Sequence, residues 1–203
     1  MATHFILVRH GQTEWNKNER FRGRADIPLN ETGVAQAQQV AARLVGEKID
    51  AIYSSPLRRA LRTAQPIAEN HRLAVQPLDG LNDVDEGALE GLTIEEARQD
   101  FPKVVDDWLN APGHVKFPKG ESLKTVRIRV EKTLTDLAAL HPDQTLVLVS
   151  HRVTSGVILC HVIGLDLDSY WNIELDNASM SRFETRRGGY VVTLINDTNH
   201  LRI

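Results

Sequence analysis

The pattern that decides the fold lies near the start of the chain, in Phe5-Ile6-Leu7-Val8-Arg9-His10-Gly11. Four apolar residues are followed at once by two basic residues and a glycine. An unbroken apolar run of this length is typical of a strand buried on both faces, and its abrupt end marks the edge of a sheet. We therefore predict a first strand over residues 5–8, with Arg9 and His10 at its carboxyl end.

The same change from apolar to polar residues occurs at the ends of two later strands. A predicted strand over residues 49–54 leads into Ser55 and then Arg58-Arg59, and a predicted strand over residues 145–149 ends in Ser150-His151-Arg152. The carboxyl ends of parallel strands meet at one edge of a sheet, where α/β proteins bind their ligands. We expect the three polar clusters to lie close together at that edge.

Helical patterns separate the predicted strands. Apolar residues recur at helical spacing from Val34 to Val45, after a predicted N-cap at Asn30, and again over residues 57–68, 123–138 and 153–163. Pro66 conflicts with the second helix, because an internal proline costs roughly 3 kcal/mol unless the helix kinks. A strand over residues 73–78 and a hairpin over residues 179–184 and 190–195 complete the pattern. Together these elements predict an α/β fold with a mostly parallel sheet covered on both faces.

The composition is that of an ordinary globular protein. The 203 residues are 41% hydrophobic and 25% charged, which predicts one domain over residues 1–203. The segment from about residue 92 to residue 120 has the least periodicity, and we interpret it as a possible cap over a pocket. Its Trp108, His114, Phe117 and Lys119 are candidate pocket residues, although the two aromatic side chains are equally suited to ordinary packing.

Charge and cysteine content exclude several classes of partner and site. The net charge of −3 argues against binding of nucleic acid, which requires a basic surface. Cys160 is the only cysteine, so the chain has no internal disulfide or CxxC metal site, and we expect a cytoplasmic location. The longest apolar run, residues 157–165, is too short to span a membrane, and the N-terminus has no signal-peptide pattern. We expect a soluble protein without a membrane partner.

The residues at the predicted strand ends suit chemistry on a small anion. A neutral imidazole at His10 is a competent nucleophile, although a single histidine in this position is more often structural. Arg9, the Arg58-Arg59 pair and His151 would surround it with positive charge, which selects a doubly negative group such as phosphate. Guanidinium groups can stabilise the phosphoryl oxygens without magnesium, and no phosphate-binding GxxxxGK[ST] loop or HExxH site is present. The sequence therefore predicts no metal and no cofactor.

The same residues resemble the signature of the histidine phosphatase superfamily, in its phosphoglycerate mutase-like branch. The resemblance starts at Leu7-Val8-Arg9-His10-Gly11-Gln12-Thr13 and continues, in the family's order, through Trp15-Asn16 and residues 26–33, 53–60, 63–64, 120–122, 149–151 and 177–179. It spans nearly the whole chain. It implies a three-layer α/β/α sandwich of the phosphoglycerate mutase-like fold, with a mostly parallel central sheet.

The resemblance also implies a phosphohistidine mechanism. His10 would attack phosphorus, while Arg9, Arg59 and a protonated His151 would hold the phosphoryl oxygens, with Asn16 as a further donor. Arg59 matches the family's phosphate-binding arginine because it precedes Ala60, and Arg58 would then lie on the surface.

Three positions depart from the family pattern. The proton donor is usually a glutamate in a Leu-Arg-Glu-x-x-x-Gly block, where this chain has Asp83, with Asp85 and Glu86 as nearby alternatives. Arg22-Gly23 replaces a common Gln-Gly pair, and together with Arg20 and Arg24 it makes a basic loop that either contacts substrate or is simply solvated. Arg152 replaces a glycine after the second histidine. We assign Arg22, Gly23 and Arg152 as candidate substrate-binding residues.

The favoured function is a metal-independent phosphomonoesterase acting on a small phosphorylated metabolite. A phosphoglycerate mutase using the same site is the first alternative, and a catalytically silent phosphometabolite-binding module is the second. The compact chain favours hydrolysis over mutase activity, and the intact His10 argues against the silent module. The C-terminal hairpin offers an edge for pairing into a homodimer, but the oligomeric state is left open.

Overall fold

The computed structural model describes residues 2–201, and its strands form one six-stranded sheet. The order across the sheet is β3-β2-β4-β1-β5-β6. The strands are β1 (His4–Arg9), β2 (Ala51–Ser54), β3 (Val75–Pro77), β4 (Thr145–Ser150), β5 (Met180–Arg186) and β6 (Gly189–Asp197). Strands β1 to β4 run parallel, and the hairpin of β5 and β6 is added antiparallel to β1. The predicted mostly parallel sheet is thereby confirmed.

The helices connect and cover these strands. The α-helices are α1 (Glu14–Lys17), α2 (Glu31–Leu44), α3 (Arg58–His71), α4 (Ile94–Asp100), α5 (Pro102–Asn110), α6 (Leu123–Leu140) and α7 (Arg152–Ile163). Short 3-10 helices lie at Asp79–Leu81, Gly87–Leu89, Pro112–His114, Leu167–Asn172 and Asn199–Leu201.

The core lies in two layers because side chains of the buried strands alternate between the faces of the sheet. Phe5 and Leu7 of β1 pack on one face with residues of α6 and α7. Ile6 and Val8 pack on the other face with residues of α2 and α3. Both faces of the parallel strands are therefore covered by helices, which confirms the three-layer α/β/α sandwich.

Strand register fixes the positions of the polar clusters. Arg9 at the end of β1 pairs with Ser150 at the end of β4, and Ser54 of β2 pairs with Val149 of the same strand. The three strands thus end together, so His10, Ser55 and His151 leave the sheet at one edge. The predicted convergence of the three clusters is confirmed.

Most predicted helix ends agree with the structure. The Asn30 side chain accepts a hydrogen bond from the Gly33 N–H at the start of α2, and Gly164 closes α7 in the left-handed conformation that glycine favours. Helix α3 continues through Pro66. Its Ala60, Ala64 and Ile67 are fully buried against the sheet, and this packing offsets the cost of the proline.

One local prediction was wrong. Val45 was assigned to the apolar face of α2, but that helix ends at Leu44 and Val45 is 61% exposed. The sequence analysis also offered no prediction for α1, which is held by a capping box between Thr13 and Asn16. A helix of one turn has no apolar periodicity that a sequence pattern could detect. Within residues 2–201 no helix is long and apolar enough to cross a membrane.

Glycine is required where α2 meets the loop after β1. A Cβ added at Gly33 would lie 2.1 Å from the Gln12 carbonyl oxygen, and one added at Gly11 would lie 2.5 Å from the Gly33 carbonyl oxygen. The two backbones therefore touch directly, which fixes the loop that follows His10 against the start of the helix.

We predict that Gly33→Ala destabilises the protein by about 1 to 3 kcal/mol, because the added methyl group meets rigid backbone. In an unhindered helix the same change would stabilise by roughly 1 kcal/mol. Urea denaturation followed by circular dichroism measures the difference. The control is Thr32→Ala, at the exposed neighbouring position, which should stay within about 0.5 kcal/mol of the wild type. A more stable Gly33→Ala variant would contradict the close contact.

Candidate active site

His10 is buried directly after β1, and its backbone is held on both sides. Its N–H donates to the Ser150 carbonyl at 2.9 Å, and its carbonyl accepts from the Ala178 N–H at 3.1 Å. The ring Nδ1 lies 2.6 Å from the Gly11 carbonyl oxygen. Because a carbonyl can only accept, Nδ1 carries the proton and Nε2 keeps its lone pair. The geometry therefore presents Nε2 as a nucleophile.

The surroundings of His10 keep the ring neutral. Burial lowers its pKa well below the ordinary value of 6.5, and the positive charges of Arg59 and Arg9 lower it further. A neutral imidazole is the nucleophilic form. The arginines thus favour the reactive state of His10 as well as attracting an anion.

Arg9 is a buried cation with unused hydrogen-bonding capacity. Its Nη1 donates to the Leu175 carbonyl at 2.5 Å, whereas its Nε has no partner within residues 2–201. Burial and the nearby charges of Arg22 and Arg152 lower its pKa to about 9. A bound anion would supply both the missing acceptor and the missing negative charge.

Arg59, in the first turn of α3, is fully buried and joins several parts of the site. Its Nη1 donates to the Ala25 carbonyl at 2.6 Å and its Nη2 to the Gly23 carbonyl at 2.8 Å. Its Nε donates to Nδ1 of His151 at 3.1 Å. The guanidinium therefore fixes both the basic loop and the second histidine. Arg58 points away, as predicted, and forms an exposed ion pair with Asp26 at 2.7 Å.

His151 lies beside His10, with 5.1 Å between the ring centroids. Because its Nδ1 accepts from Arg59, the proton is on Nε2, which is buried without a partner. Burial, Arg59 and His10 lower its pKa well below 6.5. The protonated His151 that the resemblance implies belongs to a site that holds a phosphoryl group, and it stays a prediction. His151 is neutral here because a second positive charge beside Arg59 is unfavourable, and it offers one donor, Nε2–H.

Asp83 lies beside these groups. Its Oδ2 is 3.4 Å from Nη2 of Arg59 and 3.7 Å from Nδ1 of His151, and its Oδ1 accepts from the Val84 N–H at 3.0 Å. Burial raises its pKa, while Arg59 and Arg22 oppose the shift. The structure therefore brings the predicted proton donor into contact with the predicted phosphate-binding residues.

A cavity of about 420 Å³ adjoins these residues through Arg9, whereas the buried side chains of His10, Arg59, Asp83 and His151 do not line it. Its wall includes four of the predicted site residues, namely Arg9, Asn16, Arg22 and Arg152, and the aromatic side chains of Phe21, Trp108, Tyr170 and Trp171. Asn16 accepts from the Thr13 N–H through its Oδ1, which leaves its amide N–H groups free. Arg152 stacks on Trp171 with its guanidinium carbon 5.0 Å from the ring centroid. Gly23 is not on the wall; it lies behind it and supports Arg59 through its carbonyl.

The three arginines of the basic loop have different environments. Arg20 pairs with Glu96 at 3.0 Å and Arg24 with Glu121 at 3.3 Å. Arg22 donates only to backbone carbonyls, those of Trp15 and Arg20. Among the residues described, Arg22 is therefore the loop arginine that forms no close ion pair, although its charge lowers the pKa values of Asp83 and Glu86.

Glu86 is a second buried acid and lines the cavity, although the sequence analysis named it only as an alternative to Asp83. Its Oε2 is buried without a partner. Burial and the nearby Asp83 raise its pKa to about 8, against the opposing effects of Arg22 and the Gly23 N–H. Asp85, the other alternative, instead accepts from the Gly87 N–H at 2.9 Å and is not on the cavity wall.

Sequence reasoning missed several wall residues. Tyr170 and Trp171 lie in a 3-10 helix that follows α7 and carries no strand-end signal, yet the Tyr170 hydroxyl is buried without a partner. Asn177 was quoted only as part of a family block, and its side chain donates to the His10 carbonyl at 3.1 Å. Nothing in the local sequence of these residues predicts that they face the cavity.

The segment from 92 to 120 contributes part of the wall. Ile94, Trp108 and Leu109 line the cavity, while Phe117 is fully buried in the core. His114 is exposed, 3.7 Å from Asp168, and neither it nor Lys119 lines the cavity. The role of this segment as a cap stays a prediction.

Comparisons with known proteins all indicate the same family. Residues 5–198 match the family model of the histidine phosphatase superfamily (branch 1). The chain is 39% identical over 196 residues to phosphoserine phosphatase 1 of Hydrogenobacter thermophilus, covering 97% of this chain and 93% of that protein. It is 34% identical over 200 residues to the probable phosphoglycerate mutase GpmB of Proteus mirabilis, covering 96% and 93%.

Comparison with solved structures indicates the same family. A mutant phosphoserine phosphatase from Entamoeba histolytica, in complex with phosphoserine, superposes with a TM-score of 0.90 at 33% identity and covers 98% of this chain and 100% of its own. The structure of that organism's phosphoserine phosphatase with 3-phosphoglyceric acid gives a TM-score of 0.88 over the same shares of the two chains.

We predict that Glu86→Gln stabilises the protein increasingly as the pH rises. The wild-type carboxyl loses its proton near pH 4.5 in the unfolded chain but only near pH 8 in the folded chain. The contribution of Glu86 to the free energy of unfolding is therefore complete below pH 4.5 and is lost as the pH rises to 8. The free energy of unfolding is measured by urea denaturation. The difference between the variant and the wild type should rise by about 1 to 3 kcal/mol, in favour of the variant, between about pH 5 and pH 8.

The control for this experiment is Glu95→Gln, which removes the same charge from an exposed position on α4. The difference in the free energy of unfolding between Glu95→Gln and the wild type should show no comparable trend with pH. A Glu86→Gln variant whose difference from the wild type is constant across this range would contradict the raised pKa.

Proposed function

Since the chain belongs to branch 1 of the histidine phosphatase superfamily, we propose that it is a phosphoric monoester hydrolase that acts on a small phosphorylated metabolite. In this proposal His10 becomes phosphorylated during turnover, and the arginines of the site take the place of a metal ion.

One observation carries the proposal. The Nε2 lone pair of His10 is free, and it lies among buried donors without partners, Nε of Arg9 and Nε2 of His151. Buried polar groups are nearly always hydrogen-bonded, so unpaired donors around a nucleophile indicate a ligand with several acceptor oxygens. A phosphoryl group supplies these acceptors.

The first chemical step forms a bond between Nε2 of His10 and phosphorus. The bond from phosphorus to the ester oxygen breaks, and Asp83 gives its proton to the leaving oxygen. Burial favours the protonated form of Asp83 that this step needs. Arg9, Arg59 and His151 stabilise the charge on the transferred oxygens.

The second step restores the enzyme. Water attacks phosphorus, its proton passes to the Asp83 carboxylate, and the phosphorus–nitrogen bond breaks to release phosphate and neutral His10. The guanidinium groups provide electrostatic stabilisation throughout, so we propose that turnover needs no added metal.

A carboxylate on the substrate would pair with two arginines of the wall that form no close ion pair. Within residues 2–201, neither Arg22 nor Arg152 is paired with an acidic side chain. The relatives with solved complexes hold phosphoserine and 3-phosphoglyceric acid, both of which carry a carboxylate beside the phosphate. We therefore propose phosphorylated carboxylic acids as the substrate class.

A phosphoglycerate mutase is the second candidate function, because the probable mutases among the relatives match almost the whole chain. It would use the same His10 and return the phosphoryl group to another hydroxyl of the bound acid. The higher identity to a phosphoserine phosphatase favours hydrolysis. A silent binding module is disfavoured, because binding alone does not require a neutral His10 with a free lone pair. A cytoplasmic location, a single domain and a possible homodimer stay predictions.

We predict that His10→Ala lowers phosphate release by at least about 1,000-fold without unfolding the protein. Release from 3-phosphoglycerate, phosphoserine and p-nitrophenyl phosphate is measured in EDTA, and formation of 2-phosphoglycerate is followed in parallel. The exposed His114→Ala serves as the control. Isomerisation without release would show a mutase. Full activity of His10→Ala, or activity that EDTA abolishes, would contradict the proposal.

We also predict that Asp83→Asn slows alkyl phosphates by about 100- to 10,000-fold but p-nitrophenyl phosphate much less, since a good leaving group needs little acid assistance. The comparison of kcat/KM for the two substrate types measures this effect. Asp85→Asn is the control, because the Asp85 side chain accepts from the Gly87 N–H whereas Asp83 contacts Arg59 and His151. Equal slowing of both types by Asp83→Asn would assign the donor role to another acid.

A further inference from the structure

A buried acid in a cationic cavity needs an explanation. The wall carries Arg9, Arg20, Arg22 and Arg152, which together attract an anionic substrate. Glu86 lies among them and is only 5% exposed. Toward a phosphate or a carboxylate, an ionised Glu86 would be repulsive. A positively charged ligand group, by contrast, would favour the ionised form of Glu86 over the protonated form.

The Glu86 carboxyl is also incompletely satisfied by the protein. Its Oε2 is buried without a partner, and within residues 2–201 it forms no ion pair with any of the arginines that share the wall. Leaving such a group unpaired in a buried site is costly. A cationic donor on the ligand would satisfy it.

The position of Glu86 relative to the phosphate site is set by the chain. Glu86 lies three positions after Asp83, which contacts Arg59 and His151. Three positions span at most about 11 Å between Cα atoms, and the charge of Asp83 is close enough to raise the pKa of Glu86. Glu86 also lines the same cavity as Arg9, so both belong to one site.

We propose that Glu86 is a specificity-determining residue that binds the ammonium group of a phosphorylated amino acid, while Arg22 and Arg152 bind its carboxylate. This inference rests on the proposed phosphatase function and names its substrate class more narrowly. Phosphoserine has all three groups. 3-Phosphoglycerate has the same carbon skeleton but a hydroxyl in place of the ammonium, so Glu86 should favour phosphoserine over it.

The two substrates form a matched pair for the test. The values of kcat and KM are measured for phosphoserine, 3-phosphoglycerate and p-nitrophenyl phosphate with the wild type, Glu86→Gln and the exposed control Glu95→Gln. In Glu86→Gln we expect kcat/KM for phosphoserine to fall about 10- to 100-fold through KM, the size of a lost charge-assisted hydrogen bond. The kcat/KM for 3-phosphoglycerate should stay unchanged or rise, because the substitution removes the negative charge of Glu86.

Other outcomes overturn the proposal. A loss shared equally by phosphoserine and 3-phosphoglycerate, with p-nitrophenyl phosphate spared, would assign Glu86 to proton donation. An unchanged preference between the two acids would remove Glu86 from recognition altogether.

Binding measurements keep this test independent of turnover. Calorimetric titration of phosphoserine and 3-phosphoglycerate into His10→Ala, with and without Glu86→Gln, reports recognition without chemistry. Selective weakening of phosphoserine binding would support the role of Glu86 even if the wild type hydrolysed none of the substrates. Equal Kd values for phosphoserine in the two proteins would overturn it even if the wild type were an active phosphatase.

Discussion

The buried guanidinium of Arg59 is the group on which the rest of the site depends. A cation without solvent must be surrounded by acceptors, and this one takes them from three distant parts of the chain: the Gly23 and Ala25 carbonyls, the Asp83 carboxylate and the His151 ring. Satisfying one side chain therefore positions the basic loop, the acid and the second histidine. It also fixes the tautomer of His151, because Nδ1 must accept and only Nε2 can then donate to a ligand.

The electrostatics of the cavity follow from the same burial. Arg59 and Arg9 keep His10 neutral and nucleophilic, and they oppose the rise in the pKa of Asp83 that burial causes. Burial and the nearby Asp83 raise the pKa of Glu86 to about 8. The two acids on this short loop differ in position: Asp83 contacts Arg59 and His151, whereas Glu86 lines the cavity. Perturbed acids of this kind cost stability and are typical of functional sites.

Predictions from local pattern succeeded where local forces decide the outcome. The apolar runs that end in polar clusters gave the parallel strands and placed Arg9, His10 and His151 at one edge, because strand burial and side-chain alternation are properties of a few consecutive residues. They failed at Val45, where α2 ends one residue earlier, and they gave no signal for α1, which has one turn and no periodicity. Pro66 is an unfavourable local signal that did not interrupt its helix. The burial of α3 against the sheet offsets the local cost of the proline.

By itself, the sequence determined the fold class and the family resemblance, and it named the candidate nucleophile and the candidate phosphate-binding residues, since these belong to short motifs at or after strand ends. Only the tertiary structure decided which of several similar side chains face the cavity. Arg20 and Arg22 both line the cavity, but Arg20 forms an ion pair with Glu96 whereas Arg22 forms none within residues 2–201. Glu86 rather than Asp85 reaches the wall. The environments of these side chains depend on partners that are distant in sequence and on the degree of burial. Neither can be read from the residues next to the side chain in the sequence.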